Sequence, residues 1–133
     1  MRISAPSKRR RSELPYDRNN IFAKILRGEI PCKKVYEDGH VLAFDDINPQ
    51  APTHILVIPK GEYVSADDFG ERATPEEAQA MFRAVSKIAR DVGAAAEGYR
   101  ILANHGINAH QEVPHFHIHI FAGRKLGPML ARA

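Results

Sequence analysis

The segment His115-Phe116-His117-Ile118-His119-Ile120-Phe121 alternates imidazoles with large apolar side chains without a break. That period of two belongs to an extended strand, whose successive side chains point to opposite faces; a helix would scatter them around its axis. Phe116, Ile118 and Ile120 then share one face and enter a core. His115, His117 and His119 share the other, with same-face neighbours roughly 6.5–7 Å apart. Three groups that titrate at about pH 6.5 repel one another once protonated, so this face costs stability unless a ligand uses it. The supply is concentrated as well: five of the seven histidines lie between His105 and His119.

The rest of the body supplies partners for that strand. Ile21, Phe22, Ile25 and Leu26 follow helical spacing and mark a short amphipathic helix ending near Gly28. Val35–Glu37, the Asp38-Gly39 turn and Val41–Phe44 form a hairpin pattern, and Thr53–Ile58 reads as a strand closed by Pro59. Thr74-Pro75-Glu76-Glu77 has the form of a capping box. Behind it Ala78, Met81, Phe82, Val85, Ile88, Ala89 and Val92 keep to one helical face, with Met81 and Phe82 expected in the core and Gly93 as the stop. Tyr99–Asn104 and His115–Phe121 are the remaining strands. Short connections between strands favour an antiparallel α+β domain of about five strands and two helices.

Charge divides the chain unevenly. Residues 1–18 carry six basic and two acidic side chains, a net +4, whereas the other 115 residues hold 13 basic and 14 acidic, a net −1. A basic arm over residues 1–19, containing Lys8-Arg9-Arg10-Arg11, therefore precedes a near-neutral domain over 20–133. The arm reads either as a solvated extension or as a tether for nucleic acid or a partner. A near-neutral body argues against a dedicated nucleic-acid surface elsewhere. Cys32 is the only cysteine, which excludes an internal disulfide and any zinc site needing two thiolates; a half-buried small side chain is its expected role. No apolar run approaches the roughly 20 residues of a membrane span, and no secretory signal follows the charged N-terminus, so a soluble, reducing, cytoplasmic setting is expected.

Two chemistries suit the imidazole face. Strand-borne His-x-His pairs can bind zinc, with His115, His117, His119 or His54 as ligands, although no carboxylate within the strand stands ready to orient them. Alternatively the histidines act directly, as nucleophile and acid–base groups on a phosphorus centre. A Gly-x-Ser-x-Gly elbow, a phosphate-binding glycine loop and a dinucleotide fingerprint are all missing.

The segment 115–121 resembles the His-x-His-x-His signature of the histidine triad (HIT) superfamily. Ile21-Phe22-Ala23-Lys24-Ile25 with Glu29-Ile30-Pro31 is similar to the opening of its histidine triad nucleotide-binding (Hint) branch. Leu42-Ala43-Phe44-Asp45-Asp46-Ile47-Asn48-Pro49-Gln50-Ala51-Pro52-Thr53-His54 is similar to the central signature, and Gly123-Arg124 with Leu126-Gly127-Pro128-Met129 to the tail of bacterial members. The likeness runs from about Asn20 to Leu130, apart from the Tyr63–Ala73 loop.

This resemblance implies an α+β meander whose sheet continues across a homodimer. It implies hydrolysis or transfer at the α-phosphate of a purine nucleotide, AMP-linked amines above all, with neither metal nor cofactor required. His117 would be the nucleophile forming a nucleotidyl-histidine, His119 the phosphate contact, and His115 and His54 the groups that hold the His117 ring. Asp46 would accept from ribose hydroxyls, Ile30, Phe44 and Ile47 would wall the base, and Asn104 would be a phosphate-side amide. From the residues alone, Ile30, Phe44 and Ile47 are equally core candidates, Asp46 a turn cap, and Asn104 a strand end. The segment before the triad, usually Gly-Gln-x-Val, reads His110-Gln111-Glu112-Val113 here. His110 either crowds the approach of backbone amides to phosphate or adds a contact. Glu112 replaces a phosphate-binding serine of many relatives, and could instead protonate the leaving group. A dinucleoside polyphosphate hydrolase, a non-catalytic nucleotide-binding module and a zinc-dependent hydrolase are the competing functions.

Overall fold

A computed structural model describes residues 15–130 of the chain. The basic run Lys8–Arg11 lies outside the described residues. Among the described residues nine elements follow in order: α1 (Ile21–Leu26), β1 (Lys34–Glu37), β2 (Val41–Asp45), β3 (Thr53–Pro59), α2 (Ala66–Arg72), α3 (Pro75–Asp91), β4 (Arg100–Leu102), a 3-10 turn (Ile107–Ala109) and β5 (Ile118–Ala122). The strands form one sheet in the order β1-β2-β3-β5-β4, every pair antiparallel. The expected five-stranded antiparallel α+β architecture is the one observed. The last strand in sequence is inserted between β3 and β4, so the histidine strand is internal, with covered ladders on both sides.

Period two sorts the core into halves. Val41 and Ala43 of β2, Ile55 and Val57 of β3, and Ile118 and Ile120 of β5 face α3 and pack on Met81, Val85 and Ile88, joined by Phe116. Leu42, Phe44, Leu56 and Ile58 point the other way and pack beneath Phe22 of α1. His54, His119 and Phe121 lie on this second face by the same alternation, because Thr53 pairs with Ala122, His54 with Phe121 and Leu56 with His119.

Local chemistry sets the helix ends. Asn20 caps α1, its side-chain oxygen accepting from the Ala23 N–H at 2.9 Å. Thr74 and Glu77 form the reciprocal capping box predicted for α3, with Pro75 as the first helical residue. Among the described residues, no helix is long and apolar enough to cross a membrane.

Three expectations need correction. The fold has a third α-helix, α2, where the sequence reading allowed two. It lacks an apolar period long enough to read, and it is held instead by Asp68, whose carboxylate accepts from the Val64 N–H and pairs with Arg72. Phe82 is 63% exposed rather than core. It stands about 100° round the helix from Met81, and the sheet meets the stripe centred between Met81, Val85 and Ile88. Finally, the ladder of β5 begins at Ile118, so His115 and His117 lie on the approach to the strand; β4 is likewise shorter than Tyr99–Asn104. The alternation survives without the ladder: Phe116 still joins the α3 core while His115 and His117 meet Phe22.

Just after β5, Gly123 has φ +97°, and a Cβ there would fall 2.7 Å from Cβ of Pro52. Gly123→Ala is therefore expected to destabilise the protein by about 2–4 kcal/mol, combining left-handed strain with overpacking. Urea unfolding would read this as a lower midpoint at unchanged slope; an unchanged midpoint would show that the Pro52 contact yields freely.

Candidate active site

The register brings His54 and His119 together diagonally, and their ring nitrogens meet: His54 Nε2 lies 2.9 Å from His119 Nδ1. Which nitrogen carries the proton follows from the other partners. The Gln50 backbone N–H donates to His54 Nδ1 at 3.1 Å, so that nitrogen is an acceptor and the neutral ring carries its proton on Nε2. His54 then donates to His119 Nδ1, and His119 must carry its own proton on Nε2. His117 is opposite. Its Nδ1 lies 2.7 Å from the His115 carbonyl, which can only accept, so Nδ1 is protonated and Nε2 presents a lone pair. The two rings, 5.0 Å apart, thus offer an unprotonated Nε2 beside a protonated one.

Burial keeps these rings neutral. His115 is fully buried and donates from Nε2 to the Pro59 carbonyl at 2.9 Å; loss of hydration pushes its pKa down to about 4. Desolvation, followed by repulsion from His117 and His54, pushes His119 down to about 4 as well. Burial also lowers His117 and His54, while the nearby Asp46 carboxylate partly opposes both shifts. An uncharged Nε2 on His117 at neutral pH is what nucleophilic attack requires.

Asp46 lies just past the end of β2, its Oδ2 3.4 Å from His54 Nε2 while Oδ1 accepts from the Asn48 N–H at 2.8 Å. One oxygen makes the turn and the other faces the histidines. Asp46, His54 and His119 offer ligand atoms within 4.8 Å of one another, close enough for a divalent cation. Their proton positions do not suit one. Ligation through His54 Nε2 would require moving its proton to Nδ1, against the Gln50 N–H.

A cavity of about 810 Å³ opens on this face, with Phe22, Ile30, Phe44 and Ile47 among its walls and Asp46 and His54 at its polar end. Phe44 serves both roles considered for it, since it is buried in the α1-side core and also lines the cavity. Ile47 is 91% exposed, a rim residue and not a core one. Cys32 is half-buried on the same wall.

The loop from Asn104 to Val113 reaches this wall through Val113; Asn104, His110 and Glu112 stand outside it. Gln111 is buried and spends its amide internally, donating to the Val64 and Val113 carbonyls and accepting from the Gly106 N–H. Its contribution is the shape of the loop. His110 occupies the left-handed region at φ 57°, the conformation a glycine adopts freely and a histidine at a cost of about 1–2 kcal/mol. Both His110 and Glu112 are exposed.

Several contributors escaped the sequence reading. Phe22 sets its ring edge-on to His117 at 5.0 Å, a position only hinted at by its place on the apolar face of α1. Gln50 acts through its backbone N–H, which leaves no signature in residue type. Tyr16, placed by composition in the arm, donates its hydroxyl to His115 Nδ1 at 2.5 Å.

Comparison with known proteins places the chain in a family. The HIT domain profile matches residues 27–126. An uncharacterized HIT-like protein of Azospirillum brasilense is 68% identical over 117 residues, covering 88% of this chain and 96% of that protein. The purine nucleoside phosphoramidase of Escherichia coli K12 is 47% identical over 114 residues, covering 84% and 92%. A histidine triad protein from Clostridium difficile superimposes with a TM-score of 0.76 at 44% identity, over 84% of this chain and 96% of that one. With a profile spanning most of the chain and relatives well above 40% identity across nearly their full length, the protein belongs to the HIT family, in its Hint-like branch.

Proposed function

We propose that this protein is a purine nucleoside phosphoramidase that cleaves AMP-linked amines through a nucleotidyl-histidine on His117. The observation that carries the reading is the set of hydrogen-bond partners of two neighbouring rings, 5.0 Å apart, which leave a lone pair on Nε2 of His117 and an N–H on Nε2 of His119. The His117 lone pair attacks the α-phosphorus and the P–N bond to the amine breaks, the departing nitrogen taking up a proton from solvent that the water attacking in the second step gives back. Water then attacks the same phosphorus, the P–Nε2 bond breaks, and AMP departs. The His119 Nε2–H stabilises the charge that develops on the phosphoryl oxygens in both steps. The purine lies between Ile30, Phe44 and Ile47, and Asp46 accepts from the ribose hydroxyls. Glu112 and His110, outside the slot, face whatever leaving group projects from it.

The 47% identity to a protein named purine nucleoside phosphoramidase supports the substrate class. A homodimer is part of the proposal. β4 is a sheet edge, and Ile101, Leu102 and Phe82 are exposed apolar side chains suited to a second copy.

Rapid-quench incubation with radiolabelled adenosine 5′-phosphoramidate tests the reading. An acid-labile nucleotide on the protein, formed faster than AMP is released, is the expected result. Preferential turnover of diadenosine polyphosphate would replace the amine by a nucleotide leaving group. Binding with no adduct and no AMP would make the protein a non-catalytic nucleotide module.

A further inference from the structure

Tyr16 stands eleven residues ahead of the segment that matches the HIT domain profile, 27–126, and it does not line the nucleotide slot. Its hydroxyl nevertheless reaches the most buried imidazole of the site. His115 donates from Nε2 to the Pro59 carbonyl, so Nδ1 is left as a lone pair in a place with no access to water. A buried acceptor of that kind must find a donor or the structure loses the hydration it gave up. Tyr16 is the donor, at 2.5 Å, with its ring edge-on to the imidazole at 5.5 Å.

The ring of His115 is thereby held at both nitrogens, from β3 on one side and from the N-terminal segment on the other. The backbone of the same residue orients His117, whose Nδ1–H donates to the His115 carbonyl. Phe22 closes the arrangement, meeting the rings of both His115 and His117 edge-on. The segment that carries Tyr16 is tied down in turn. The Asn20 side chain donates to the Asp17 carbonyl at 2.7 Å, Arg27 donates to the Arg18 carbonyl at 2.8 Å, and Arg18 pairs with Glu62 at 3.1 Å.

We propose that Tyr16 is a positioning residue for His117, acting through His115, and that residues 17–20 are the latch that holds it in place. The inference rests on the reading of His117 as nucleophile, but its structural half is independent of any activity. Removing the hydroxyl frees His115 to shift or change tautomer, and the carbonyl that aims His117 loses its fixed position. Affinity for the nucleotide is unaffected, because the slot walls are untouched.

The test is Tyr16→Phe in the full chain, with two readouts. Nitrogen-15 imidazole NMR without nucleotide is expected to show the His115 Nδ1 resonance moving away from its hydrogen-bonded position and the His117 Nδ1–H resonance shifting or broadening. With adenosine 5′-phosphoramidate, kcat is expected to fall about tenfold with KM within about twofold, the pattern of a lost orienting hydrogen bond. Arg18→Ala, which loosens the latch and leaves the ring in place, is expected to lower kcat about threefold. A folded Tyr16→Phe protein with wild-type His115 and His117 resonances, an unchanged kcat, or a loss confined to KM would each overturn the proposal. Should Tyr16→Phe not fold, Arg18→Ala decides by the same criteria. If the wild type does not turn over the phosphoramidate, the proposed function fails, while the NMR comparison still decides the role of Tyr16.

Discussion

His117→Ala is expected to lower turnover of adenosine 5′-phosphoramidate by at least about 10⁴-fold, because the bond-forming atom itself is removed and the remaining histidines cannot take its place. His119 faces the site with a protonated Nε2, and His115 is fully buried with both nitrogens engaged. Neither can present a lone pair to phosphorus. AMP binding, which draws on the slot from Ile30 to His54, should persist within a fewfold by calorimetry. Loss of the ring contact with Phe22 should cost stability of about 1–3 kcal/mol without unfolding the domain. The labelled adduct should disappear in the same variant. Turnover retained in a folded His117→Ala protein would end the covalent mechanism.

Acidification is expected to destabilise the fold well before its carboxylates are neutralised. The unfolded chain protonates its histidines below about pH 6.5. Folded His115 and His119 hold off protonation to about pH 4, and His117 and His54 are lowered too. Between those limits the unfolded state binds more protons than the native state. Stability is thus complete above pH 6.5 and declines as the pH falls toward 4. At about 1.4 kcal/mol for each pH unit of the window, His115 alone accounts for a loss on the order of 3 kcal/mol. Ion-paired carboxylates act lower down: Glu37, held by Lys34 and Lys60, is depressed to about 2. Urea midpoints measured from pH 8 to pH 4 should therefore fall steeply in wild type and more gently in His115→Gln, whose amide can still donate to Pro59. Parallel curves for the two proteins would show that the buried imidazole is not responsible.

The fold was legible wherever a short period carried the information. The runs in β2 and β3 and the Thr74–Glu77 box specify themselves within a few residues and take their expected form, and the alternation at 115–121 keeps its two faces although the strand begins only at Ile118. Phe82 failed because a helical stripe is wider in sequence than the contact a flat sheet makes with it. Helix α2 failed because its stability comes from the Asp68 carboxylate and not from apolar spacing.

For the site, the sequence by itself determined which residue types face one another. Period two puts three imidazoles on one side of β5 and the segment leading into it, and the motif around Asp46 and His54 brings acid and base to the neighbouring strands. Only the tertiary structure decided where each proton sits. That depends on the Pro59 and His115 carbonyls, the Gln50 N–H and the Tyr16 hydroxyl, three of them backbone groups that almost any residue would supply, with Pro59 and Tyr16 distant in sequence from the ring they address. A histidine with one partner is a base and with another a donor, and the choice of partner is made by packing.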